Sequence, residues 1–240
     1  MTNPLSSLAP DIERRLAGWV KIQERHVPPV EVKLRPTITL SRQFGCEGFP
    51  LADRVKTLFE ESTGEPWNIF DKSLIETVAK EEDIPLSLLK RLGDMSRAIE
   101  AFGMHSPEHV THDMAFDKVA RYLVQISRLG NAIVVGRGAA ILCKGLRNCY
   151  HFRLVASFDW RVATFARRTS LGPAEAEAQV KENEKLREKF VTQCLGENIT
   201  DPRFYDAIFN NERHSVDDIA HAILAFVRNG WEDKGYFRKS

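Results

Sequence analysis

Residues 37–53 read TITLSRQFGCEGFPLAD: a β-branched run, a turn holding Gly45 and Gly48, and the start of an apolar helical pattern. Strand, glycine turn and helix in that order build a phosphate-binding loop. Successive backbone N–H groups and the helix N-terminus face one anion, and glycine lets the backbone approach it. The residues able to contribute are Ser41, Arg42, Gly45, Cys46, Glu47 and Gly48. The turn has neither the lysine that reaches terminal phosphates nor the hydroxyl that holds magnesium. Arg42 can supply the missing charge from the start of the loop, and Pro50 suits a first helical turn, where its absent N–H is not needed. Glu47 opposes anion binding if its carboxylate faces the ligand, because unit charges about 4 Å apart repel by roughly 4 kcal/mol at an effective dielectric near 20. Pointing to solvent, it would not, and both orientations are compatible with the sequence.

Further along, Asp71 ends the run WNIF, where its carboxylate could orient a hydroxyl or hold a metal-bound water, or equally cap the helical pattern of KSLIETVAK. Arg137 stands between glycines in VVGRGAA, just past a β-branched run. A guanidinium there can grip a phosphate in two places, or form an ion pair with a neighbouring acid. Arg161, Arg167, Arg168 and Arg187 lie in or beside a very polar helical stretch, and Arg161 and Arg187 are the two carried forward as ligand contacts. In KENEKLREK, Lys181, Glu184, Lys185 and Glu188 have the spacing of ordinary solvated i,i+4 pairs. His105, His109 and His112 in HSPEHVTH have metal-compatible spacing, but Pro107 breaks the helix they would need and no cysteine completes the set. No metal site is assigned, and a surface flap is the preferred reading.

These residues need elements to hold them. Strand-like runs at 37–41, 67–70, 132–135, 150–156 and 206–209 alternate with helical patterns, which predicts βαβ units, a parallel sheet and a ligand site beyond the carboxyl ends of the strands. The helix after Ser215 has a capping box, with Asp218 in the reciprocal place. Before the first strand, DIERRLAGWVKIQERH predicts a helix followed by a linker broken by Pro28, Pro29 and Pro36, either packed on the main domain or serving a dimer contact. Segments 81–112 and 173–200 do not fit simple alternation and are candidate flaps over the site. The expected organisation is therefore an extension over 1–36, a domain over 37–228 and a tail over 229–240.

Composition bounds the function. The 240 residues suffice for one substantial α/β domain. With 34 basic against 33 acidic side chains there is no global signal for nucleic acid, so any anion site must be local. Cys46, Cys143, Cys149 and Cys194 are scattered without a CxxC pair, which fits a reducing compartment. The absence of a membrane-length apolar run and of an apolar leader adds the expectation of a soluble, cytoplasmic protein without membrane partners.

In that order, SRQFG, FDKSLI, VVGRGAAIL and RLVASFDWRVATFARR resemble the cytidylate kinase-like family of P-loop nucleotide kinases, over about 37–227. The loop is similar to that of a branch lacking the usual lysine. Set against ordinary cytidylate kinases, Gly45 falls on a loop glycine, Cys46 on a small residue, Glu47 on the glycine before the lysine, Gly48 on the lysine and Phe49 on the magnesium hydroxyl. Glu47, Phe49 and Pro50 depart from the branch as well, which has glycine, arginine and an acidic residue there. The resemblance implies a three-layer P-loop NTPase fold with a five-stranded parallel sheet, an acceptor-binding flap around 72–112 and a helical lid around 165–200. It implies ATP-dependent phosphorylation of a nucleoside monophosphate, with magnesium held mainly through the nucleotide. In that scheme the loop amides hold the donor, Arg42 and Arg187 neutralise the moving phosphoryl group, Arg137 holds the acceptor phosphate and Asp71 orients the acceptor. Two other classes stay open: a catalytically inactive nucleotide-binding regulator on a kinase scaffold, and an interaction module, possible as a homodimer through the N-terminal helix.

Overall fold

The computed structural model describes residues 34–71, 119–120, 123–231 and 234–237. The expected N-terminal helix, the flap around 72–112 and His105, His109 and His112 lie outside the described residues.

Five strands form one parallel sheet in the order β2-β3-β1-β4-β5: β1 (Thr37–Arg42), β2 (Asn68–Phe70), β3 (Ala132–Val135), β4 (Cys149–Val155) and β5 (Ala207–Asn210). β1 is central, pairing Leu40 with Val135 on one side and with Phe152 on the other. The period of two along β1 sends Ile38 and Leu40 to one face, and Thr37, Thr39 and Ser41 to the other. On the first face α1 (Gly48–Thr63) and α5 (Val216–Gly230) bury Leu51, Val55, Phe59, Ile219 and Ile223 against Ile38 and Leu40. α1 stops where Gly64 turns left-handed, and α5 starts on the reciprocal Ser215–Asp218 capping box. Trp231, Tyr236 and Phe237 from the C-terminal segment close this core.

On the second face, α2 (Ala139–Leu142), helical residues 123–129 and the end of α4 (Pro173–Leu195) cover Phe70, Ala132 and Val134 with Leu123, Ile126, Ile141, Phe190 and Val191. α3 (Phe158–Thr169) and α4 meet over a third cluster of Phe44, Phe165, Ala176 and Val180. The architecture is the expected three-layer α/β sandwich. The long polar segment expected over 173–200 is one 23-residue helix, entered through Pro173 at its first position and ended by left-handed Gly196.

The second face of β1 is polar, and each group there is paired. Thr37 Oγ1 donates to Ser127 O at 2.8 Å, and Thr39 Oγ1 lies 2.8 Å from His151 Nδ1. Ser41 Oγ accepts from Arg153 Nη1 at 2.9 Å. Burial pushes the His151 imidazole below its usual 6.5, with the Asp206 carboxylate opposing. The unfolded chain therefore binds a proton that the folded one refuses, and stability falls as pH drops below about 6.5. Urea midpoints at about pH 7.5 and about pH 5.5 will show His151→Gln losing less stability on acidification than the native chain.

Candidate functional site

The site is built where β1, β2 and β3 end side by side. Arg42 leaves β1 and lies along the first residue of α1. A Cβ at Gly48 would stand 3.0 Å from Arg42 Cδ and 3.2 Å from its Nε. Farther out the guanidinium crosses the end of β3, where a Cβ at Gly136 would meet Arg42 Nη1 at 2.2 Å. Two glycines thus form a slot for one arginine. The place where a loop lysine would root, residue 48, is filled by the side chain of residue 42.

Gly136, Arg137 and Gly138 follow β3 with φ of 82°, 58° and 66°, a left-handed turn over successive residues. The flanking glycines adopt this freely, whereas Arg137 pays about 1–2 kcal/mol for it. Backbone strain of this kind is characteristic of ligand sites. Arg137 lies with its guanidinium carbon 5.6 Å from the Phe190 ring centroid, and the α4 side chain of Leu195 packs against Gly138. Asp71, 8% exposed, directly follows β2 at the same edge.

α4 reaches over from above. Arg187 Nη1 donates to Arg42 O at 3.3 Å, and its guanidinium lies over the Phe44 ring at 4.7 Å. Arg42, Arg137 and Arg187 are close enough to repel. Desolvation, then the charge of Arg137, lower the Arg42 pKa to about 10, while Asp71 and Glu184 act the other way. Arg187 is held well below the usual arginine range by desolvation and then by Arg42, with Glu184 opposing and Arg137 adding to the repulsion. An anion among these guanidinium groups would relieve both costs.

Arg161 belongs to the other side of the loop. It is 7% exposed, and its Nη1 donates to Phe44 O at 2.9 Å and lies 3.4 Å from Glu184 Oε2. Its Nε has no hydrogen-bond partner among the described residues. Gly45, at φ 95°, sits against the Arg161 backbone, where a Cβ would meet Arg161 O at 2.7 Å. The carboxylate of Glu184 also accepts the Phe44 N–H, so it does not belong to a solvated i,i+4 pair as its spacing suggested. Instead Lys181 pairs with Glu177, and Glu184 turns inward on the stripe of Ala176, Val180, Arg187 and Val191. That stripe was the available signal: a carboxylate at the helical spacing of buried residues.

Three of the loop's own amides are already engaged. Cys46 N–H donates to Gln43 O at 3.3 Å, Glu47 N–H to Asn211 Oδ1 at 2.8 Å and Gly48 N–H to Cys46 O at 2.9 Å. The Glu47 carboxylate is turned toward β5: its Oε2 lies 3.5 Å from Asn211 Nδ2, and its charge raises the pKa of Arg168 against the desolvation that lowers it. Cys46 faces the core, where burial pushes its thiol up to about 12. The fold therefore gathers Arg42, Gly48, Asp71, Arg137 and Arg187 on one side of the loop. Gly45 and Arg161 lie beneath it, and Glu47 lies on the other side. Ser41 faces Arg153 and Tyr205, whose hydroxyl lies 3.2 Å from Ser41 Oγ and donates to Ile199 O at 2.7 Å. Arg153 and Asn211, both 3% exposed, were not singled out from sequence. Arg153 had a signal, a charged residue in phase with His151 along a run expected to be a strand of the parallel sheet.

The sequence model of the cytidylate kinase-like family matches residues 37–213, from the first residue of β1 to just past β5. The chain belongs to the cytidylate kinase-like family. As a family member it has the scaffold of a nucleotide-dependent kinase. No curated protein matches the sequence. A crystal structure of an uncharacterised protein from Eubacterium ventriosum is 17% identical, covering 81% of this chain and 99% of that one, with a TM-score of 0.60. It shares the fold. A gluconokinase from Sinorhizobium meliloti (13% identity, 84% and 96% coverage, TM-score 0.44) and a shikimate kinase from Bacteroides thetaiotaomicron (12%, 80% and 98%, 0.40) also match. Among the described residues no group of three His, Cys, Asp or Glu is placed to hold a metal ion, and no helix is long and apolar enough to cross a membrane.

Proposed function

We propose that the protein transfers a phosphoryl group from ATP to a nucleoside monophosphate, with cytidylate as the first acceptor to test, in the cytoplasm. The observation that carries this reading is the glycine slot, which holds Arg42 over Gly48 and Gly136 with Arg137 and Arg187 beside it. Phosphoryl transfer gains most from fixed positive charge around the migrating group, and arginine grips phosphate oxygens in pairs. Arg42 takes the role of the missing lysine, and Arg187 brings charge from the lid helix. Arg137 holds the acceptor phosphate, Asp71 orients the acceptor, and Arg161 with Glu184 fixes the loop that presents Gly48 and Arg42 to the donor. The residues fit a polyphosphate better than a dedicated metal set. Magnesium, which would neutralise phosphate charge, arrives with the nucleotide.

A second reading, a nucleotide-binding regulator without turnover, is favoured by the loop amides, since those of Cys46, Glu47 and Gly48 donate within the protein. Calorimetric titration with ATP and magnesium, then CMP, followed by an assay for ADP, separates the two. The kinase reading expects binding of both ligands and ADP formation that falls about 100-fold or more in Arg137→Ala. Binding without ADP selects the regulator, and absence of binding rejects both. A homodimer through residues 1–35 is a further proposal. Light scattering before and after their deletion would test it, and an unchanged subunit count would remove it.

A further inference from the structure

The arginine site contains a carboxylate that anion binding does not call for. Glu184 stands one turn before Arg187 on α4, so the two side chains leave neighbouring positions on one face of the helix. Its side chain is 17% exposed, and its carboxylate accepts the Phe44 N–H and lies 3.4 Å from Arg161 Nη1. Those contacts hold it beside the loop, where the Arg187 guanidinium covers the Phe44 ring at 4.7 Å and donates to Arg42 O at 3.3 Å. Glu184 therefore meets both arginines at residues 42–44, and its charge acts on Arg42 and Arg187 alike. Fixing the loop does not require that charge, because a neutral amide oxygen accepts the same N–H groups.

We propose that Glu184 is a specificity-determining residue: it competes with the ligand's phosphates for Arg42 and Arg187, so the site takes a polyphosphate in its magnesium-bound form in preference to the bare polyanion. Even with Arg161 counted from beneath the loop, the carboxylates of Asp71 and Glu184 leave the guanidinium groups of Arg42, Arg137 and Arg187 short of the charge of a bare polyphosphate. Phosphate charge taken out of water without a partner is costly. Magnesium bound to the ligand removes part of that excess before it enters, and among the described residues no group of three His, Cys, Asp or Glu is placed to hold the ion. Without the charge of Glu184 the cluster would tolerate more negative charge, and the bare anion would gain most, because Coulomb energy scales with the charge of the ligand. The inference rests on the polyphosphate site proposed above, and not on turnover.

Calorimetric titration of the full chain with inorganic pyrophosphate, in EDTA and in excess magnesium at matched ionic strength, tests this without a nucleotide. The native protein is expected to bind the magnesium complex more tightly than the bare anion. In Glu184→Gln, which keeps an oxygen for Phe44 and Arg161, the bare anion gains about tenfold and the magnesium complex about threefold or less, so the preference narrows. Glu188→Gln, at an exposed position of the same helix, removes an equal charge and leaves both dissociation constants as they were. A native protein that binds the bare anion as tightly as its complex overturns the proposal, as do equal gains, or none, for the two forms in Glu184→Gln. The first of these results needs no variant, so misfolding of Glu184→Gln leaves the test intact. Pyrophosphate binding with any of those results removes only the role of Glu184, whereas no binding of either form removes the polyphosphate site and the proposal with it.

Discussion

Arg42→Met is expected to lower the proposed phosphoryl transfer by about 100- to 1,000-fold and weaken binding of the proposed nucleotide's phosphates, while the protein remains folded. The methionine retains most of the stem that lies along Gly48, so packing is largely kept and the charge alone is removed. That charge is the one the loop lacks by having no lysine of its own. It sits among Arg137, Arg187, Asp71 and Glu184, so its loss also relieves the repulsion that lowers Arg187. Stability is therefore expected to stay level or rise slightly, opposite in sign to activity. Steady-state kinetics and urea unfolding on the same preparation check both signs. A variant that loses stability and activity together would show Arg42 to be structural.

Gly136→Ala is expected to produce a comparable loss of activity without touching any charged group. The new methyl would lie 2.2 Å from Arg42 Nη1, so the guanidinium must leave the slot. An arginine tip moves easily, and the stability cost is mainly that of alanine at φ 82°, about 1–2 kcal/mol. The two substitutions make a decisive pair. If glycine 136 matters because it admits Arg42, the activity losses will not add: Gly136→Ala in the Arg42→Met background will cost almost nothing more in turnover, though its stability cost persists. Additive activity losses would mean that the left-handed turn serves Arg137 instead.

The fold was legible because its signals are local. β-branched runs at 37–41 and 132–135, helical spacing from Leu51 to Phe59, and the Ser215–Asp218 capping box each lie within one element. Backbone hydrogen bonding and burial periodicity act over a few residues, so alternation of such elements was enough to imply a parallel sheet with its ligand edge at the strand ends. The same locality made the loop after β1 and the GRG turn after β3 recognisable as places where backbone could approach an anion.

Tertiary structure decided the chemistry between elements. That residue 42 fills the place of a side chain at residue 48 depends on β3 bringing Gly136 alongside. That Glu184 serves the loop rather than a solvated lysine depends on α4 lying over Phe44, and Glu47 turns toward Asn211 because the chain leaving β5 passes beside the loop. None of this is local in sequence: Glu47 and Asn211 are 164 residues apart, and Phe44 and Glu184 are 140. Charge acts through space with a strength set by distance and burial, and neither is written in spacing along the chain. The sequence by itself therefore determined the scaffold and the residues available to an anion, while only the packing of α4 and β3 around the loop determined which of them face it.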